Sequence, residues 1–262
     1  MQLTPTELSH AITIATNLSQ TAGAIIKDSL VLGQKREWKA DHTPVTLVDK
    51  QINQLVIDTI HREFPTHSIL AEEGSDLSRS REFVWVCDPI DGTFPFMHGI
   101  PVSTFTLALC VGGEPVLGII HDPFMARLYL AAKGQGTTMN GHPIAPSKAQ
   151  SIKDTTIGVV FWQDNMDIFT PLLSQLTSHG GKIINLVSVA YMDALVAAGE
   201  LSAVVYPGLS AHDSAAAKII VEGAGGIFTS LTGEIDRYDQ PVHGHLACAN
   251  KHIYTEIKSY LS

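Results

Sequence analysis

Apolar residues recur every three or four positions near the start of the chain, which is the spacing of one face of an α-helix. The apolar positions of this run are Leu8, Ile12, Ala15, Leu18, Ala22, Ile25 and Ile26. Thr4 precedes the run, Pro5 comes directly after Thr4, and Glu7 stands three places after Thr4. Thr4 and Glu7 have the spacing of a capping box, and proline is favoured in a first helical turn. The pattern therefore predicts a long amphipathic helix that begins after Thr4.

A second helical pattern follows Thr46, with Asp49 three residues later at the spacing of another capping box. Its apolar positions are Ile52, Leu55, Val56, Ile60 and Phe64. Two shorter apolar runs, residues 68–70 and 83–87, predict buried strands. Asp88 and Pro89 are turn-forming residues, so we expect them to end the second strand and to begin a loop.

The second half of the chain alternates strand-like and helix-like segments, which cover residues 156–161, 169–177, 183–186, 189–198, 203–206, 214–222 and 252–261. The segment 214–222 is rich in alanine, and we interpret Asp213 as the N-cap of this helix. Mixed strands and helices predict a layered α+β fold. We expect two closely packed subdomains, residues 1–148 and residues 149–262.

Composition indicates a compact protein with a full hydrophobic core. The 262 residues are 45% hydrophobic and carry a formal net charge of −9, which argues against a nucleic-acid partner. Three cysteines cannot all pair, and Cys87 and Cys110 lie in apolar runs, which favours buried thiols. We find no membrane-spanning segment and no signal peptide, so we expect a cytoplasmic protein without a membrane partner.

Two carboxylates follow the strand predicted at residues 83–87. Asp88 and Asp91 are separated by a proline and an isoleucine, and Gly92 and Thr93 come next. Carboxylate oxygens suit Mg²⁺, which usually takes one or two carboxylates together with water and phosphate oxygens. The N–H groups of Gly92 and Thr93 can donate to a phosphate, because glycine lets the backbone approach an anion closely. The alternative is a loop whose aspartates only cap turns.

A second acidic pair, Glu72 and Glu73, follows the strand predicted at residues 68–70. Adjacent carboxylates repel one another, which costs stability when no cation is present. Asp49 and Asp213 complete the acidic candidates, and each of them also has a structural explanation as a helix-capping residue.

Taken in chain order, these motifs resemble the inositol monophosphatase family of Mg²⁺-dependent, lithium-sensitive phosphomonoesterases. The resemblance rests on the acidic pair at residues 72–73, on Asp-Pro-Ile-Asp-Gly-Thr at residues 88–93, and on a late aspartate before a helix that closes in Glu-Gly-Ala-Gly-Gly at residues 222–226. It extends from residue 39 to residue 250. The resemblance implies an αβαβα sandwich, a site between its two halves, and a homodimer.

The resemblance also implies a ligand set for two or three Mg²⁺ ions. Glu72 and Asp88 hold one ion together with the carbonyl oxygen of Ile90. Asp88, Asp91 and Asp213 hold a second ion, while a third, looser ion depends on Glu72 and water.

In the mechanism that the resemblance implies, a water activated by the ions attacks the phosphorus in line. Thr93 and Asp49 orient and deprotonate this water, and Glu73 lies in the layer of residues behind the metal ligands. The expected contacts to the substrate and its phosphate come from Lys39, Gly92, Thr93, Ser188 and Tyr206.

Departures from the family pattern concentrate on the residues expected to face the alcohol half of the substrate. Val187-Ser188 stands where inositol-specific members have Gly-Ser or Gly-Thr, Tyr206 stands where they have a glutamate, and His212 replaces an aromatic residue. Residues 204–209, 212–213 and 221–226 are similar to the branch that dephosphorylates histidinol phosphate. Inositol monophosphate and histidinol phosphate are therefore both candidate substrates. A 3′,5′-bisphosphate nucleotidase ranks lower, and an inactive scaffold of the same fold is the alternative from another class.

Overall fold

The computed structural model describes residues 3–30, 37–38, 44–161, 166–231 and 237–261. The helices are α1 (Pro5–Ser29), α2 (Leu47–Glu63), α3 (Thr93–Met97), α4 (Met166–Ser178), α5 (Val189–Ala197), α6 (Ala211–Gly223) and α7 (Lys251–Lys258). The strands are β1 (Glu37–Trp38), β2 (Pro44–Val45), β3 (His67–Ala71), β4 (Ser80–Asp91), β5 (Thr104–Val111), β6 (Glu114–Asp122), β7 (Arg127–Ala132), β8 (Gly136–Met139), β9 (His142–Pro143), β10 (Thr156–Val159), β11 (Lys182–Ile184), β12 (Ala203–Leu209), β13 (Ile227–Ser230) and β14 (His243–Cys248).

The capping boxes at the start of α1 and α2 are confirmed. Thr4 and Glu7 bond each other's backbone N–H groups at the first helix, and Thr46 and Asp49 do the same at the second. Both helices begin where the sequence predicts, because these bonds join residues only three positions apart and need no distant partner.

The strands form two larger sheets. The first contains β3 to β9 in chain order, with β3 parallel to β4 and all later neighbours antiparallel. The second has the order β11-β10-β12-β14-β13, and β10 is parallel to both of its neighbours. The short strands β1 and β2 pair separately and antiparallel.

Alternating side chains of β4 show how the first sheet is covered on both faces. Val84 and Val86 belong to the apolar core that contains α5 and α6, whereas Trp85 and Cys87 belong to the core that contains α1 and α2. This division follows from the two-residue period of a strand, which directs successive side chains to opposite faces.

The second sheet divides in the same way. Val204 of β12 packs toward α5 and α6, while Ala203 and Val205 pack in a third core with α4 and α7. The layers therefore run α1/α2, first sheet, α5/α6, second sheet, α4/α7, and the expected αβαβα sandwich is confirmed. The subdomain boundary predicted near residue 148 falls between the two sheets and stays a prediction, since α5 and α6 pack against both.

The structure corrects the prediction that Asp88 and Pro89 end a strand. β4 continues to Asp91, and its register with β5 shifts between Asp88 and Asp91. Such a bulge accommodates Pro89, which has no N–H to donate to the sheet ladder.

The interpretation of Asp213 as a helix N-cap was also wrong. The N-cap of α6 is Ser210, whose hydroxyl oxygen accepts a hydrogen bond from the Asp213 N–H at 3.2 Å. Because Ser210 caps the helix, the carboxylate of Asp213 is released from that role.

All three cysteines are buried and free, as the sequence predicts for Cys87 and Cys110. Among the described residues, none of the helices has the length and apolar character that crossing a membrane requires.

Candidate active site

The parallel pairing of β3 and β4 brings two acidic residues to one edge of the first sheet. Ala71 lies opposite Cys87, so the next residues, Glu72 and Asp88, follow at the same end of the two strands. The Glu72 N–H donates to the carbonyl oxygen of Cys87 at 3.2 Å, which holds the start of the acidic loop against β4.

Three carboxylates meet beside this edge. Asp88 and Asp91 are presented by the bulge of β4, and Asp213 is presented by the first turn of α6. One oxygen from each lies within 4.8 Å of the others, and the three residues are only 3%, 2% and 8% exposed, respectively. Glu72 is not a member of this compact group.

The negative charges of these carboxylates repel one another. Burial raises the pKa of Asp88 well above its ordinary value, and the charges of Glu72, Asp91 and Asp213 act in the same direction. Burial, followed by the charge of Asp213, raises the pKa of Asp91 to about 7. In the part of the chain that the structure describes, no Lys, Arg or His forms an ion pair with Asp88, Asp91 or Asp213. The cluster therefore favours a cation from outside the protein.

Asp91 is held by four donors. The hydroxyl groups of Thr104 and Ser188 donate to Oδ2 at 3.1 and 2.7 Å, and the Tyr191 N–H donates to the same oxygen at 3.1 Å. The Val189 N–H donates to Oδ1 at 2.8 Å. Asp91, at the end of β4, thus caps the N-terminus of α5. The N-cap residue of that helix, Ser188, makes no capping bond with its own side chain.

Asp49 lies beside Thr93 as well as at the start of its own helix. It is fully buried, and its Oδ2 accepts hydrogen bonds from the N–H and the hydroxyl of Thr46. Thr93 Oγ1 lies 3.2 Å from Asp49 Oδ1 and 3.1 Å from the carbonyl oxygen of Ile90. Burial raises the pKa of Asp49, and the charge of Glu72 raises it further. The capping role and a role in catalysis are therefore compatible in one side chain.

Gly92 makes the turn between β4 and α3. Its φ is +88°, in the left-handed region that favours glycine, and a Cβ atom here would lie 2.9 Å from the Cβ of Ser188. Its carbonyl oxygen accepts a hydrogen bond from the Ser103 hydroxyl at 2.8 Å. The turn therefore requires glycine for both its conformation and its space.

Two predicted substrate contacts are directed at carboxylates in the structure. The Tyr206 hydroxyl donates to Asp213 Oδ2 at 2.8 Å, and the Ser188 hydroxyl donates to Asp91. Burial raises the pKa of Tyr206 well above its ordinary value, so this hydroxyl keeps its proton. The third predicted contact, Lys39, lies outside the described residues.

The loop that carries Glu73 is tied to α2. Asn53 of that helix donates through Nδ2 to the carbonyl oxygen of Gly74 at 3.1 Å. Glu73 is half-buried beside this bond. Sequence reasoning missed Asn53, since nothing in a helix pattern reveals which loop a polar residue will contact.

Thr104 and Thr106 were missed as well, although a signal was present. They are polar residues two positions apart in an apolar strand, so they share one face of β5. Thr106 Oγ1 accepts from the Asp88 N–H at 3.2 Å and donates to the His212 carbonyl oxygen at 3.3 Å. It thereby connects β4 to the start of α6.

Comparison with known proteins agrees with this geometry. The model of the inositol monophosphatase family matches residues 7–262. An inositol-1-monophosphatase from Synechocystis is 31% identical over 265 residues, which cover 94% of this chain and 90% of that protein. A Pseudomonas aeruginosa protein named Nus factor SuhB is 29% identical, with 95% of this chain and 96% of that protein covered.

A solved IMPase structure from Thermotoga maritima has a TM-score of 0.87 to this protein at 27% identity, with 96% of each chain covered. The chain therefore belongs to the inositol monophosphatase family and is a phosphatase.

Proposed function

We propose that the protein is a Mg²⁺-dependent phosphomonoesterase that hydrolyses a small phosphorylated alcohol. The observation that carries this proposal is the buried group of Asp88, Asp91 and Asp213, in which one oxygen from each residue lies within 4.8 Å of the others. Hard oxygen donors without a basic partner among the described residues fit a divalent cation such as Mg²⁺.

The hydrogen bonds leave suitable oxygens for such ions. Among the described residues, Asp91 Oδ1 accepts one bond, from Val189, whereas Oδ2 accepts three bonds. Asp88 accepts from the Ile90 N–H through Oδ1 at 2.9 Å, and Asp213 accepts from Tyr206 through Oδ2. Since a carboxylate oxygen offers about two lone pairs, one oxygen of each residue keeps a position for a cation.

The proposed ligands are those that the family resemblance implies. Glu72, Asp88 and the Ile90 carbonyl would hold one Mg²⁺, while Asp88, Asp91 and Asp213 would hold another. When bound, the ions would lower the pKa of the attacking water and stabilise charge on the departing oxygen.

Thr93 and Asp49 are proposed to handle the proton of the attacking water. The Thr93 hydroxyl, 3.2 Å from Asp49 Oδ1, orients the water, and the buried carboxylate accepts its proton. The raised pKa of Asp49 supports this role, because a general base works best when its pKa approaches the working pH.

Inositol monophosphate and histidinol phosphate remain the proposed substrates. The Tyr206 hydroxyl is neutral and donates to Asp213, so it offers no negative charge to a cationic amino alcohol. This favours a neutral polyol, as does the name of the Synechocystis relative, an inositol-1-monophosphatase. The homodimeric assembly and the cytoplasmic location stay predictions.

Phosphate release tests the proposal. We would assay inositol 1-phosphate, histidinol phosphate and adenosine 3′,5′-bisphosphate with Mg²⁺, using the parent protein, Asp88→Asn and the control Asp154→Asn. Asp154 is an exposed carboxylate in a loop. We expect one substrate to be hydrolysed, and Asp88→Asn to lower kcat/KM by roughly three orders of magnitude, since metal stabilisation of the transition state is worth several kcal/mol.

The control variant should keep the parental rate. If no substrate is hydrolysed and Mg²⁺ leaves the melting temperature unchanged, the protein is an inactive scaffold of the same fold.

A further inference from the structure

A second buried polar cluster lies behind the candidate active site. His245 Nδ1 is 3.0 Å from the hydroxyl oxygen of Ser214, and His245 Nε2 is 2.8 Å from Asp193 Oδ2. All three side chains are buried. We call this set of Asp193, Ser214 and His245 the histidine bridge.

The residue types resemble a Ser-His-Asp triad, but the surroundings exclude that chemistry. Ser214 is 1% exposed, and its hydroxyl donates its one proton to the carbonyl oxygen of Ser210 at 3.0 Å. A nucleophile must reach its substrate, and this hydroxyl lies inside the helical layer between the two sheets. The histidine bridge therefore acts on the structure around it.

The bridge joins the helix that bonds Asp91 to the helix that carries Asp213. Asp193 belongs to α5, whose first N–H groups bond Asp91, and Ser214 belongs to α6, where it directly follows Asp213. His245 comes from β14 and bonds both helices. One imidazole therefore bonds both the helix that Asp91 caps and the helix that carries Asp213.

The ring of His245 also supports Tyr206. The centroids of the two rings are 5.3 Å apart, and Phe228 stacks on His245 with a centroid distance of 4.5 Å. Since the Tyr206 hydroxyl bonds Asp213 Oδ2, the imidazole reaches this carboxylate through a second path.

Placing these polar groups in a core is costly unless their bonds are made. Asp193 Oδ1 is buried and accepts no hydrogen bond from the described residues, so the bond to His245 is the one that offsets the burial of this carboxylate. Any sliding of α5 or β14 that broke this bond would leave the whole carboxylate buried without a partner, so the bond favours one arrangement of these elements.

We propose that His245 is a positioning residue, which holds α5 and α6 at the spacing that lets Asp91 and Asp213 share a divalent cation. This inference rests on the proposed function. It assigns His245, Asp193 and Ser214 a role in metal affinity and no contact with the substrate.

Three variants test the inference. The double variant Asp193→Leu/His245→Phe replaces both bonded partners by apolar side chains of similar shape, which can leave stability nearly unchanged. Asp193→Asn is the conservative control, because an amide can accept from or donate to Nε2 in either tautomer of the imidazole. Ser214→Ala removes the other end of the bridge alone.

The readout is the Mg²⁺ concentration that gives half of the maximal rise in melting temperature, together with KM and kcat at saturating Mg²⁺. For the double variant we expect this concentration to rise about tenfold, as is typical when residues behind a metal ligand are lost, with KM for the phosphate ester unchanged. Ser214→Ala should show a smaller rise, and Asp193→Asn should stay close to the parent.

A folded double variant with the parental Mg²⁺ requirement overturns the inference. If the double variant does not fold, Ser214→Ala decides, and a parental Mg²⁺ requirement in that variant overturns the inference equally. Failure of the proposed function is distinguishable, since the parent protein itself would then show neither Mg²⁺ stabilisation nor phosphate release.

Discussion

Asp213 has opposite effects on stability and on the proposed activity. In the metal-free protein its charge raises the pKa of both Asp88 and Asp91. Asp213→Asn keeps an oxygen that can accept the bond from Tyr206 but removes the repulsion. We expect the metal-free variant to gain about 1 to 2 kcal/mol in unfolding free energy at pH 8, as relief of a strained site often does.

The same substitution should abolish the stabilisation that Mg²⁺ gives the parent. Urea denaturation with EDTA and with Mg²⁺ measures both effects, with Asp154→Asn as the control for the loss of an exposed charge. A metal-free Asp213→Asn protein less stable than the parent would contradict the repulsion argument.

Alanine substitutions at Gly92 and at Gly134 separate the effect of backbone strain from the effect of steric crowding. Both Gly92 and Gly134 have a left-handed φ, +88° and +79°, but only at Gly92 would a Cβ atom meet a neighbour. Gly134→Ala should cost about 1 to 2 kcal/mol, which is the strain of an L-residue in this conformation. Gly92→Ala should cost more, and it should also lower kcat, because the new methyl group displaces Ser188 from Asp91.

Urea denaturation of both glycine variants provides the measurement. Equal losses of stability, with kcat unchanged in both, would show that the contact with Ser188 is unimportant.

At the residue level, the sequence identifies the acidic residues of the site better than the roles of the polar residues that bond them. Asp49, Asp88, Asp91 and Asp213 stand out through motif and charge, and the structure brings the last three together. The roles expected of Ser188 and Tyr206 depended on which way each side chain points. Tertiary contacts decide that direction, and both side chains donate to carboxylates.

Among the elements, those with local signals were predictable and those that depend on distant partners were not. The capping boxes of α1 and α2 join residues three positions apart. In contrast, the bulge in β4 arises from pairing with β5, and β14 pairs with β12 and β13 on either side. The sequence did not predict β14, because this strand starts with histidine, glycine and histidine, which resemble a turn.

Asn250 gives a test of capping at the element level. Its Oδ1 accepts from the N–H groups of His252 and Ile253 at the start of α7, and its Nδ2 donates to the carbonyl oxygens of Ser147 and Ala149. Asn250→Ala should lower the unfolding free energy by about 2 to 3 kcal/mol, since a cap and two further hydrogen bonds are lost together.

The matched control is Thr4→Ala at the exposed cap of α1, for which we expect a loss of about 1 kcal/mol. Urea midpoints compare the two variants. If Asn250→Ala costs no more than Thr4→Ala, the bonds to residues 147 and 149 do not stabilise the junction between the two sheets.

For the whole molecule, the two sheets and the shared helical layer explain how residues far apart in sequence form one site. Asp88 and Asp91 come from the first sheet, while Asp213 comes from the helical layer that both sheets cover. The layered fold follows from alternating strands and helices, but the contact between β4 and the first turns of α5 and α6 requires the assembled molecule.

The acidic cluster should make the stability of the metal-free protein depend on pH. Asp91 has a pKa raised to about 7 in the folded state, so it binds its proton more tightly there than in the unfolded chain. Protonated Asp91 therefore contributes to the unfolding free energy at low pH. This contribution, on the order of 3 kcal/mol, is lost as pH rises from about 4 to about 7. Mg²⁺ replaces the proton, so its stabilising effect should grow over the same window.

Melting temperatures at pH 5 and pH 8, with EDTA and with Mg²⁺, check this prediction. The decline with EDTA should be smaller in Asp213→Asn, because one cause of the raised pKa of Asp91 is absent. An identical decline in both proteins would place its origin outside the acidic cluster.

Asp88, Asp91 and Asp213 together are proposed to hold the divalent ions that drive phosphate ester hydrolysis. Anomalous diffraction from crystals grown with Mn²⁺ locates such ions directly, because Mn²⁺ gives an anomalous signal that the lighter Mg²⁺ lacks. We expect a peak bonded to oxygens of all three aspartates at about 2.1 Å, and no peak there in Asp88→Asn. A protein that hydrolyses its phosphate ester while this site shows no peak at saturating Mn²⁺ would rule out a role of these three aspartates as metal ligands.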